Sequence, residues 1–448
     1  PAEPSLTRTF GGSTTNRLIF STSFWIKRSD IEVSGGTSIF GCVGGDTSNF
    51  GSIHFNPQDQ LCMQDASGGP DDINLITTRK FRDCSAWYHI VIAVDSTQST
   101  ASDRVKFYVN GVQETSFATS TYPAQNNNFH FNRDGKVHQI SKFPYGSSHL
   151  AWDGYIAEFF WIDGVAHNAS TFGEYSEDSP TIWIPKDCKD DLTFGNQGFY
   201  LGFADASDMG DDESGNGNDF AETNINTVDQ SQDTCTNNFC TTSPVLNTAI
   251  DVRFGALRST KASGDSNQRQ WGSTFAVNSG KWYWECQNFA ASTNHWYIGI
   301  TDAESIPHSL TNFPGDTTKS YGIRGSDGHK LYNASASSYG SAITNGDTVM
   351  VALDLDNKKI WFGENGTFFN SGDPAGGSNE AFSITDGDFY MPAFTATGGG
   401  GEGWFCNFGS PAYSITSGNA DSNGFGNFEY APPSGFLSLC SKNLGGNS

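Results

Sequence analysis

Carboxylates are the first residues whose types and spacing could do chemistry. A glycosidase needs two of them roughly 5–9.5 Å apart across a cleft. On one strand that requires acids at i and i+2 or i+4, because successive side chains alternate faces. Glu158 and Asp163 are five positions apart, so a regular strand points them to opposite faces. Asp354 and Asp356 share a face but run into Asp356-Asn357-Lys358, a turn in which Asp and Asn bond their own backbone. No Glu-x-Asp-x-x-Glu pattern occurs. The nine histidines hold no His-Glu-x-x-His spacing. Gly-x-Ser-x-Gly and P-loop motifs are absent, and Gly398–Gly401 lies between strands with no helix to follow, which makes it a turn. These residues predict structural carboxylates and no enzyme.

A metal is the second chemistry. Hard cations want several carboxylate and carbonyl oxygens on a tightly folded backbone. Asp205, Asp208, Asp211 and Asp212 lie in such a stretch, Gly202–Asp219. The twelve-residue calcium loop fits neither frame: from Asp211, Gly215 takes position five and Asn216 displaces the position-six glycine; from Asp205, Met209 spoils position five. The stretch therefore reads as an acidic surface loop, with calcium at these four aspartates as the alternative.

Recognition is the third. Aromatic faces stack on sugar rings and favour interfaces. Those placed in expected loops are the sharper candidates: Trp296 behind Asn294 and His295, Tyr332 before Asn333, and Tyr339 in Ala336–Gly340. The competing placement for Trp296 is inward, in a core.

Positioning these groups falls to strands. Within Gly346–Phe369, Val349, Val351, Leu353 and Leu355 alternate with Met350, Ala352, Asp354 and Asp356, the period of a strand with a core face and a wetter face. Ile360-Trp361-Phe362 resumes as a strand, and Asn365-Gly366 signals a tight hairpin, so a three-stranded meander is expected. Trp87–Asp95, a polar loop, Val105–Val109 and Asn110-Gly111 repeat that plan. With no short fixed repeat, the two copies predict two β domains and not a solenoid.

Composition sets the bounds. The 448 residues suffice for two or three domains. Gly 51 with Phe 35, Trp 11 and Tyr 15 suits short aromatic strands and tight turns. A net charge of −24 repels phosphate backbones and argues against nucleic-acid binding. No run reaches the roughly 18 apolar residues of a membrane span, so membrane insertion is not expected. Nine scattered cysteines, an odd number, imply no disulfide framework. The opening Pro1-Ala2-Glu3-Pro4, without an initiator Met or signal peptide, predicts a start that is processed or lies upstream.

Several phrases carry a resemblance. Ser23-Phe24-Trp25-Ile26-Lys27, Trp87–Val91, Val105–Gly111 and Gly154–Glu158 follow in the order of laminin-G-like, concanavalin-like domains. Ser279-Gly280-Lys281-Trp282-Tyr283-Trp284-Glu285, Gly299-Ile300, Gly346-Asp347, Leu353–Asn357, Asn365-Gly366 and Asn407-Phe408-Gly409 closely resemble the SPRY domain over about residues 270–410. The resemblances imply two antiparallel β-sandwiches, the concanavalin-like one of a type that commonly binds glycans or proteins, the SPRY one of a type without catalytic machinery that recognises partners through loops at one end. The expected division is a concanavalin-like sandwich over 1–201, an acidic Asn/Gly-rich connector over 202–245, a SPRY-like sandwich over 246–412 and a tail over 413–448. The whole order, with Pro432-Pro433-Ser434-Gly435-Phe436, resembles structural proteins of marine tailed bacteriophages. That implies a homo-oligomeric appendage protein on the virion surface, assembled in the host cytoplasm, binding other virion proteins or a host-surface glycan or protein. A secreted or cell-surface bacterial adhesin, hence extracellular, and a glycan-cleaving enzyme are the rivals.

Overall fold

The computed structural model describes residues 3–46, 49–67, 73–143, 150–246, 250–261, 267–289, 296–304, 312–385, 387–397 and 402–445. The chain forms two compact units, Pro1–Gln230 and Ser231–Ser448. Both are sandwiches of mostly antiparallel sheets. Helix among the described residues is limited to Ala169–Phe172, Ser441–Gly445 and short 3-10 turns.

In the first unit one sheet runs, strand by neighbouring strand, Phe117–Thr121, Ile73–Lys80, Gln60–Ser67, Asn49–Phe55, Thr37–Asp46, Val137–Ile140, Ser5–Thr9 and Ala221–Thr223. The other runs Phe199–Leu201, Gly154–Asp163, Ile19–Arg28, Trp87–Asp95, Val105–Val109 and Val112–Glu114. Inward residues of facing strands meet between them: Phe20, Phe24, Ile90, Ile92, Phe159 and Trp161, with the consecutive Ile39 and Phe40 brought in together at a register shift. Asn110 and Gly111 both take positive φ, 47° and 81°, as a two-residue hairpin turn requires.

The outer face of the second sheet is not bare. Val91, Phe160, Ile162 and Tyr200 pack against Ala169, Phe172, Cys188 and Phe194 of the segment that follows Gly154–Asp163. Its latch is His89. The Trp183 indole N–H donates to His89 Nδ1 at 2.9 Å, so the ring proton sits on Nε2 and is donated to Ser23 Oγ at 2.8 Å. Burial pushes the His89 pKa down to about 3. His138 is driven to the same value by burial, stacked on Phe10.

In the second unit Lys281–Phe289 is the central strand, flanked by Thr348–Asp354 and Gly403–Asn407. The meander forms with Asn365 at φ 47° and Gly366 at φ 87°. Val349, Val351, Leu353 and Leu355 face the core. The expected wetter face differs from expectation: Met350 and Ala352 are also buried, with Tyr283 and Trp361, under Phe428 and Phe436. The cover comes from the expected tail, whose Leu437–Ser438 adds to the sheet in parallel with Trp282 and Tyr283. Glu285 fastens it. Oε1 accepts from Tyr430 N–H at 2.7 Å and the Tyr283 hydroxyl at 2.9 Å; Oε2 accepts from Glu429 N–H at 3.0 Å and Asn407 Nδ2 at 3.3 Å.

The segment expected as a connector is likewise divided between the units. Ala221–Thr223 pairs with Ser5–Thr9 in the first sheet, while Cys240 joins the second unit's core.

Candidate functional site

Tyr332 and Tyr339 lie at opposite ends of the edge hairpin of the second unit's smaller sheet. The strands His329–Tyr332 and Ser335–Ser338 are joined by Asn333 and Ala334, both at positive φ (49° and 57°). Tyr332 is half-buried and stacks on Tyr321 at 5.1 Å. Lys330 Nζ lies 5.5 Å from the Tyr339 ring centre and 5.0 Å from that of Phe382, and donates to Ala381 O at 2.6 Å. Tyr339 is 9 % exposed, and burial lifts its hydroxyl to about 12. This edge offers a lysine and the margins of three rings.

Trp296 is placed elsewhere. It is 3 % exposed and meets Trp404 edge-on at 4.7 Å, inside the core. The inward alternative describes it, and its ring presents no face to a ligand. Asn294 and His295 lie outside the described residues.

The four aspartates do not converge. Among the described residues no group of three or more His, Cys, Asp or Glu side chains is arranged to hold a metal ion. Asp205 Oδ1 is taken by the Ser207 N–H and hydroxyl at 2.8 and 2.6 Å. Asp212 is buried, and its carboxylate accepts from Tyr200 N–H, Ser214 N–H, the Ser214 hydroxyl and Asn218 N–H. Asp208 and Asp211 continue the same run of turns, through Asp208 N–H to Asp205 O and Asp211 N–H to Asp208 O. The Asp205 and Asp212 carboxylates serve the backbone around them.

The weighed carboxylate pairs separate in the same way. Asp163 is buried and accepts from Thr15, Asn16 and Gln197 N–H groups and from Asn132 Nδ2. Asp354 accepts from Asn357 and Lys281, and Asp356 from Gly280 N–H.

Glu158 is different. Ala157 stands opposite Trp25 and Phe160 opposite Ser23, so Glu158 and Phe159 together oppose Phe24 alone. That is a β-bulge, which re-aims a side chain. Glu158 has φ 53°, a conformation that costs a non-glycine residue about 1–2 kcal/mol. The bulge aims it at an open recess of about 280 Å³ on the outer face of the first unit, shared with Phe160, Tyr200 and the run Pro185–Lys189. The Tyr200 hydroxyl donates to Glu158 Oε2 at 2.6 Å. Burial raises the Glu158 pKa above the usual glutamate value, with Glu213 and Asp187 adding to it. Sequence reasoning weighed Glu158 only as half of a catalytic pair. The available signal was one charged residue inside the apolar run Tyr155–Ile162, where the alternation slips by one place.

Two family models match the two sandwiches. Residues 8–168 match the family described as the concanavalin A-like lectin/glucanases superfamily, and residues 281–410 match the SPRY domain. Among solved structures, the SPRY domain of human HERC1 is 21% identical, with a TM-score of 0.31, covering 37% of this chain and 96% of that one. A human SPRY domain is 14% identical (TM-score 0.29), covering 38% of this chain and 98% of that one. The TRIM65 PSpry domain is 12% identical (TM-score 0.29), covering 38% and 91%. No curated protein matches the chain. The chain thus carries two β-sandwich domains of kinds that typically serve in binding and adhesion. No helix among the described residues is long and apolar enough to cross a membrane.

Proposed function

We propose that this chain is a non-enzymatic structural protein of a tailed-bacteriophage virion, carried on a head or tail appendage. There it adheres to host-surface glycans or docks onto another virion protein, as a homo-oligomer. One observation carries the reading: two recognition-type sandwiches stand in tandem in a single chain, matched over 8–168 and 281–410. The net charge of −24 favours partners other than nucleic acid. Closed symmetry is the economical way to multiply weak contacts from one gene product. The resemblance of the whole domain order, acidic segment and Pro-Pro-Ser-Gly-Phe included, to marine phage structural proteins supports the virion setting. The test combines mass spectrometry of purified particles with binding of the purified chain to cells and to their extracted surface glycans. Peptides from this chain in the particles, together with saturable binding, are the expected result. A secretion signal and wall anchor on the full gene would point instead to a bacterial adhesin, and depolymerisation of a polysaccharide to a glycan-cleaving enzyme.

A further inference from the structure

The recess beside Glu158 is more than a gap between sheet and covering segment. The bulge at Glu158 and Phe159 sets Phe159 and Trp161 into the core and Phe160 and Ile162 onto the outer face, and it keeps Glu158 out of the core. The bulge holds Glu158 at an unfavourable φ and sets its carboxylate, largely buried, into the recess. Oε2 takes the Tyr200 hydroxyl, and Oε1 takes no hydrogen bond from the described residues. Lys186 and Asp187 are exposed and Lys189 half-buried on the facing run, while the half-buried Pro185 adds C–H surface.

We propose that this recess is a subsite for one uncharged, hydroxyl-rich sugar ring. Glu158 Oε1 and Asp187 accept from ring hydroxyls, Lys186 and Lys189 donate to ring or hydroxyl oxygens, and Pro185 meets the C–H face. The proposal rests on the glycan-adhesion reading above and locates one contact of it. The mixed lining selects the ligand. An anion would meet Glu158, Asp187 and nearby Glu213; a lone ammonium would meet the two lysines; a neutral polyol uses donors and acceptors alike. Size agrees: about 280 Å³ falls just below the about 300–1,000 Å³ of sites for drug-sized ligands, which suits one ring and not a chain.

The test titrates the full chain with methyl glycosides of neutral hexoses and 6-deoxyhexoses by saturation-transfer NMR and calorimetry, with acetate and methylamine as charged controls. Parent binding of at least one neutral glycoside is expected, weakened at least tenfold in Glu158→Ala and several-fold in Lys186→Ala. Lys186 is exposed, so its variant remains informative should Glu158→Ala fold poorly. Preference for acetate or methylamine, or a glycoside that binds both variants as well as the parent, overturns the subsite. If the parent binds intact host glycans and both variants bind them equally, the subsite falls while adhesion stands. If the parent binds neither glycoside nor glycan, both fall.

Discussion

Mild acid is the perturbation to which the first unit is built to respond. His89 and His138 are buried neutral, with pKa values pushed down to about 3 from an ordinary 6.5. The unfolded chain takes up protons near 6.5 and the folded chain does not. Their contribution is therefore fully present above pH 6.5 and is lost as pH falls toward about 3. Between pH 7 and 5 each ring costs about 2 kcal/mol, about 4 kcal/mol together, a large share of the about 5–15 kcal/mol that holds a domain folded. Asp65 and Glu158, raised by burial, carry the opposite sign, so about 4 kcal/mol is a ceiling. For His89 the atoms say why: a second ring proton, on Nδ1, would meet the indole N–H of Trp183 head on. Urea denaturation at pH 7 and pH 5, with hydrogen exchange of peptides 19–28 and 87–95 to identify the unit, measures the loss. His138→Phe keeps the stack on Phe10 and removes the titration, so it should halve the pH dependence. An unchanged urea midpoint between the two pH values, or a variant as pH-sensitive as the parent, would refute the reasoning.

Four further outcomes are expected. Trp296→Ala should lower second-unit stability by about 3–5 kcal/mol in a denaturant titration, as loss of a core tryptophan does. Glu285→Ala leaves Glu429 N–H, Tyr430 N–H and Tyr283 without their acceptor, at about 1–3 kcal/mol for each donor that stays buried, and should open residues 413–443 to limited proteolysis. Ala334→Gly removes a left-handed alanine from the hairpin tip and should raise the second unit's melting temperature, by up to about 1 kcal/mol of stability. Gly366→Ala should do the reverse, because φ is 87° and a Cβ would stand 2.9 Å from the Tyr430 ring.

Both sandwiches were legible because their signals are local. Asn110-Gly111 and Asn365-Gly366 specify their turns by backbone preference alone, and the Val349–Leu355 alternation marks one core face directly. What was not legible depends on distant chain. The face carrying Met350 and Ala352 reads as wet until Phe428 and Phe436 arrive to cover it. Trp296 precedes a strand, and composition cannot say which way a strand-end ring turns; Trp404 decides it. Glu158 was hidden by the assumption of a regular strand, which a single inserted residue defeats.

The Glu285 clamp also governs what a ribosome exposes. During synthesis the first unit has all its strands once about residue 230 has emerged, and it can close behind the growing chain. The second unit cannot. Its antiparallel strands are all present when Gly403–Asn407 appears, yet Met350, Ala352 and Trp361 stay open to solvent until Phe428 through Ser438 follow. A nascent chain paused in that interval presents an apolar sheet face, so chaperone capture and aggregation of stalled or prematurely ended chains should concentrate there.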